Sequence, residues 1–114
     1  MFIELFISIY INIKEYILIF FIRSMNRKKI IEALENSLDF DKNNEREMRL
    51  HYLLAKLYAR VNDFQAVFHF TESQDLLEYL GKNGFIGFRN FYRYGDKLDR
   101  LEFFIQPLAY DIVC

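Results

Sequence analysis

Apolar residues recur with helical spacing between positions 44 and 62. Leu50, Leu53, Leu54, Leu57, Tyr58 and Val61 stand at i, i+3, i+4, i+7, i+8 and i+11, one face of an α-helix. Asn44 supplies an N-cap, and Glu47 three residues on makes a variant of the capping box. Glu45 and Arg49 occupy i and i+4 in the favourable order. Asn62 and Asp63 tolerate the left-handed backbone that often follows a helix. An earlier stripe, Ile30, Ile31, Leu34 and Leu38, predicts a helix over 25–38, with Arg27, Lys28, Lys29, Glu32 and Glu35 on its other sides. The polar link 39–43 is short, so these two helices are expected to form an antiparallel pair.

Beyond position 62 the pattern changes. Phe64, Ala66, Phe68 and Phe70 alternate with Gln65, Val67 and His69, which predicts a strand. Residues 71–80 read as a short helix, opened by Thr71 with Gln74 and closed by Gly81. Residues 85–94 and 100–106 then read as aromatic strands around a loop, together a β-hairpin over 85–106. Pro107 ends the second strand, and 108–113 adds a last one. The expected architecture is α+β: an N-terminal helix pair and a short third helix packed on one face of a small, mainly antiparallel sheet.

The region from Leu54 to Phe70 resembles the turn of a tetratricopeptide repeat. Leu54, Leu57 and Tyr58 match its first helix, Asn62, Asp63 and Phe64 its turn, and Ala66 the opening of its second helix. The turn is one residue short of the alanine and no second copy occurs, although such repeats need neighbours. That resemblance implies a helix, not a strand, from Ala66 onward. The run Lys82-Asn-Gly-Phe-Ile-Gly-Phe-Arg-Asn-Phe91 is similar to the RNP1 strand of RNA-recognition domains and implies base stacking. Asn83 and Ile86 are extra to that pattern, and a one-residue slip moves strand side chains to the opposite face.

The first 24 residues form a separate problem. They are strongly apolar, but Asn12, Lys14 and Glu15 interrupt them, and a charge at the bilayer centre costs roughly 2.5–3.5 kcal/mol. The uninterrupted run 16–22 is short for a span. A signal peptide would need a positive start and a small-residue cleavage site. Residues 1–24 are expected to be translated upstream sequence before a start at Met25; a membrane-associated segment and two strands are the alternatives. The single expected domain is therefore 25–114.

Composition narrows the function. Thirteen Phe and eight Tyr exclude a disordered chain, and a net charge of −1 argues against a strongly electrostatic partner such as nucleic acid. Cys114 is the one cysteine, so no internal disulfide or thiolate metal site can be built, which suits a cytoplasmic protein. His51 and His69 do not form a zinc motif; His51 reads as a partly buried structural residue. No cofactor or metal is expected. Asp39 with Asp41, and Asp96 with Asp99, are explained by turn chemistry.

Period-two alternation assigns Ile86, Phe88, Tyr92, Leu101, Phe103 and Ile105 to the inner face of the hairpin. The outer face then holds Arg89, Phe91, Arg93, Arg100, Glu102, Phe104 and Gln106, joined by His69. Arg and aromatic residues are enriched at protein interfaces. The expected function is a small, non-catalytic protein-binding module of the inhibitor or immunity type, docking a protein partner or a second copy through that face. The alternatives are a single-stranded nucleic-acid binder using the same face, a small RNase with His69 as base, and a membrane-associated protein acting through residues 1–24.

Overall fold

The computed structural model describes residues 27–113, so every expectation for residues 1–24 lies outside the described part. The chain divides into two compact units, Met1–Asp39 and Phe40–Cys114. The first contains α1 (Arg27–Asn36), close to the expected helix, with Ile30, Ile31, Ala33 and Leu34 buried. Its last turn is closed by Ser37, whose backbone N–H and hydroxyl both donate to the Ala33 carbonyl.

The second unit is three helices: α2 (Glu45–Tyr58), α3 (Asp63–Lys82) and α4 (Phe88–Val113). Among the described residues there is no strand, so the α+β expectation is overturned and with it the sheet. Residues 64–70, expected as a strand, are helical within α3; the repeat-like turn implied a helix there only from Ala66, and Thr71 lies inside that helix instead of starting one. The expected hairpin over 85–106 is a short loop followed by α4, which also takes up Pro107 and residues 108–113. Likewise, the RNP1-like run is not a strand: it spans the end of α3, the loop and the first turn of α4.

Local chemistry sets the helix ends. The Asn44 side chain accepts from the Glu47 N–H at 3.0 Å and starts α2. Asn62 does the same for α3, accepting from the Gln65 N–H at 3.1 Å. Its backbone is extended (φ −156°), so it opens the second helix and is not a left-handed stop for the first. Only residues 59–62 separate α2 from α3, which makes them a helical hairpin. Gly84, at φ 67°, ends α3 in a Schellman motif. The Phe85 N–H donates to the Leu80 carbonyl at 2.9 Å, the Gly84 N–H to the Gly81 carbonyl at 3.4 Å, and the Tyr79 and Phe85 rings meet at 6.0 Å.

Packing explains why helix wins. In α3 the buried residues are Ala66, His69, Phe70, Ser73, Leu77 and Leu80, a helical stripe. In α4 they are Tyr94, Leu98, Leu101 and Ile105, at i, i+4, i+7 and i+11. Burying those four side chains stabilises the helix by roughly 6–12 kcal/mol before entropy is counted. The central helix α2 is buried beyond one stripe: every position from His51 to Ala55 is inside. It packs on α3, and α3 on α4. The Ser73 hydroxyl reaches across to the Met48 carbonyl at 2.9 Å, and Tyr94 meets Tyr52 edge-on at 6.1 Å. Among the described residues, no helix is long and apolar enough to cross a membrane.

Candidate functional site

The longest helix carries the most conspicuous surface. Its inner stripe is fixed on α3, and Phe91 extends that stripe by lying against Gly81, where a Cβ atom would come within 2.4 Å of the ring. Once that side is committed, the helical period decides what faces outward. Phe88, Tyr92, Asp99 and Phe103 stand at i, i+4, i+11 and i+15; Arg89, Arg93, Arg100 and Phe104 make the same series one position on. These are two adjacent stripes, and all eight residues are exposed. Phe88 is 79 %, Phe103 80 %, Phe104 68 % and Tyr92 60 % exposed, values unusual for side chains of this size.

The face has internal order. The Phe88 and Tyr92 rings sit 4.6 Å apart, and Phe91 meets Tyr92 edge-on at 5.5 Å. Arg100 is paired with Asp96 at 3.2 Å, one turn apart, both well exposed. Near the start of α4, Asn90 donates to Glu45 at 2.9 Å, and Glu45 also holds Arg49, whose guanidinium lies over Tyr94. This knot fixes the first turns of α4 onto α2, so Phe88, Arg89 and Tyr92 are presented by an anchored segment.

Of the residues expected from sequence, Arg89, Arg93, Arg100 and Phe104 do share one surface, although it is a helix and not a sheet. Phe91 is on the other side of α4 against Gly81. Glu102 lies off the stripe, half-buried, where it accepts from Gln106 at 3.4 Å. His69 is inside, on α3. Phe88, Tyr92 and Phe103 were expected to face inward and instead dominate the outer face. Reading Tyr94, Leu98, Leu101 and Ile105 as a helical stripe finds all three.

The second notable group is the pair His51 and His69. Their Nδ1 atoms are 2.9 Å apart, with 2 % and 3 % of the residues exposed. One ring must carry its proton on Nδ1 and donate; the other accepts there as the opposite tautomer. Tyr58 stacks parallel to His69 at 5.8 Å, Phe68 meets it edge-on at 5.0 Å, and Phe40 lies 5.5 Å from His51. Burial pushes both rings down to about 4, and in His51 the neighbouring His69 adds to the effect. A buried, bonded His69 cannot join a binding face, nor meet a substrate as a base. Two nitrogens at this distance share a proton. Among the described residues no group of three or more His, Cys, Asp or Glu is placed to hold a metal ion.

No known protein family matches the chain, and neither does any curated protein or solved structure.

Proposed function

We propose that the chain is a protein-binding module that docks through the outer face of α4. One observation carries this reading: four large aromatic side chains stand exposed on one side of a helix whose other side buries Tyr94, Leu98, Leu101 and Ile105. Exposed aromatics interleaved with arginine fit the composition of interface centres, where rings fill pockets and guanidinium groups span the rim. Asp96 and Asp99 share the stripe with Arg89, Arg93 and Arg100. That alternation suits the mixed charges of a protein surface better than the uniform charge of a phosphate backbone. With Cys114 as its one cysteine, the module suits a reducing compartment such as the cytoplasm.

The test is site-specific photo-crosslinking in the native host. A photoreactive residue at Phe103 should give one discrete adduct, and the same residue at the exposed Gln74 of α3 should give none. Equal adducts from both positions, or none from Phe103, would sink the assignment.

A further inference from the structure

We infer that the occupant of this face is the same face of a second copy of the chain, laid antiparallel across it about a two-fold axis near Asp96. The inference rests on the docking role proposed above and names the partner. Its basis is the way charge is distributed along α4. Arg89 and Arg93 are the charges on the N-terminal part of the outer face; Asp96, Asp99 and Arg100 follow, with Arg100 tied to Asp96 at 3.2 Å. The stripe is therefore basic at one end and, with Asp96 balanced by Arg100, carries a net negative charge through Asp99 at the other.

An antiparallel copy sets each end against its complement. Arg93 then faces the Asp99 region of the other copy, while Phe88 and Tyr92 meet Phe103 and Phe104. A parallel copy would set like charge on like. The antiparallel arrangement also opposes the two helix dipoles. An isologous contact requires a surface complementary to itself, and this one is.

Size is consistent. From Phe88 to Phe104 the face runs about 24 Å along the axis. Aromatic side chains bury roughly 150–250 Å² each. Four of them, mostly exposed, together with the stems of Arg89 and Arg93, approach the roughly 800 Å² per partner of a standard interface. The knot of Asn90, Glu45 and Arg49 holds the first turns of α4 in place, so little ordering is required on association.

The test is sedimentation of the full chain over a concentration series. The native chain should sediment at twice its chain mass. Phe88→Ser combined with Phe103→Ser should be monomeric with an unchanged far-ultraviolet spectrum, since both side chains are exposed. Arg93→Glu should weaken association at least tenfold, and adding Asp99→Arg in the same chain should restore it, because each copy then complements the other again. A native chain that stays monomeric up to about 1 mM overturns the inference. So does a dimer that survives the double Phe substitution, or a charge reversal that the second reversal fails to rescue. A monomeric chain whose Phe103 position still crosslinks to a different protein removes the second copy and leaves the docking role standing. A monomeric chain with no adduct at Phe103 removes both.

Discussion

His51 and His69, eighteen residues apart in sequence, meet Nδ1 to Nδ1 at 2.9 Å and join α2 to α3 inside a ring of aromatic side chains. The bond lasts only while one of the two Nδ1 atoms is without a proton. A second proton would place two donors face to face in a site from which water is excluded.

Acid should therefore loosen the domain. Each ring is held down to about 4 in the folded chain and titrates near 6.5 when unfolded. Between these values the unfolded state binds more protons, so stability is full above about pH 6.5 and is lost as the pH falls towards 4. The limiting slope is about 1.4 kcal/mol per pH unit for each histidine that must charge on unfolding. Urea unfolding at pH 7.5, 6 and 5 measures it. The midpoint should fall across the series, and His69→Phe should flatten the dependence even where it lowers stability overall. A midpoint as high at pH 5 as at pH 7.5 would contradict the buried neutral pair.

Leu54 lies at the centre of α2 with no exposed surface. Leu54→Asp puts a carboxylate where it can be neither solvated nor paired, which costs several kcal/mol, a large part of the stability of a domain this size. The expected result is loss of the cooperative thermal transition by circular dichroism. A melt that keeps its cooperativity and midpoint would place Leu54 on a surface.

The two helix caps give a finer test. Asn44→Ala and Asn62→Ala each remove a side-chain acceptor from a backbone N–H at a helix start, at about 1 kcal/mol apiece. They cap different helices and share no partner, so the double variant should lose the sum within about 0.5 kcal/mol. Denaturant titration reads all three. Asn62→Gly should lose only a few tenths of a kcal/mol, because Gly is itself a fair N-cap residue.

These caps were readable because their chemistry is local: the residues that make them lie within three positions of each other. The start of α2, the Glu45–Arg49 pair and the buried stripe of α1 follow from sequence for that reason. In α4 the local signals point elsewhere. Phe, Tyr and Ile favour strands, and Gly95 beside Asp96 looks like a turn, but burial of Tyr94, Leu98, Leu101 and Ile105 on α3 overrides them. Period two and period 3.6 agree at Leu101 and Ile105 and part at Phe103, which an alternating strand turns inward and the helix turns out. The same arithmetic explains why half the candidate face survived. Arg89 and Arg93, like Arg100 and Phe104, are four apart, a spacing that both periods place on one side. The histidine pair left no trace in the sequence, because it depends on how two helices meet.

The glycines of the α3–α4 contact separate close approach from mere tolerance. At Gly81 an added methyl would lie 2.4 Å from Phe91 Cε2 and 2.8 Å from Cδ2, so the ring must turn away from its seat. Overpacking of this kind costs about 1–3 kcal/mol, against roughly 1 kcal/mol gained in helix propensity, so Gly81→Ala should lower stability. At Gly95, inside α4, the nearest atom to an added Cβ is Leu77 Cδ2 at 4.0 Å, an ordinary contact. There the propensity gain stands alone, and Gly95→Ala should stabilise by about 0.5–1 kcal/mol. The Gly81 mechanism is specific enough for a double-mutant cycle. Phe91→Ala removes the ring that the methyl would strike, so in that background Gly81→Ala should become neutral or stabilising. Thermal melts of the four chains decide it, and a Gly81→Ala penalty that persists without Phe91 would mean that the two helices do not meet as described.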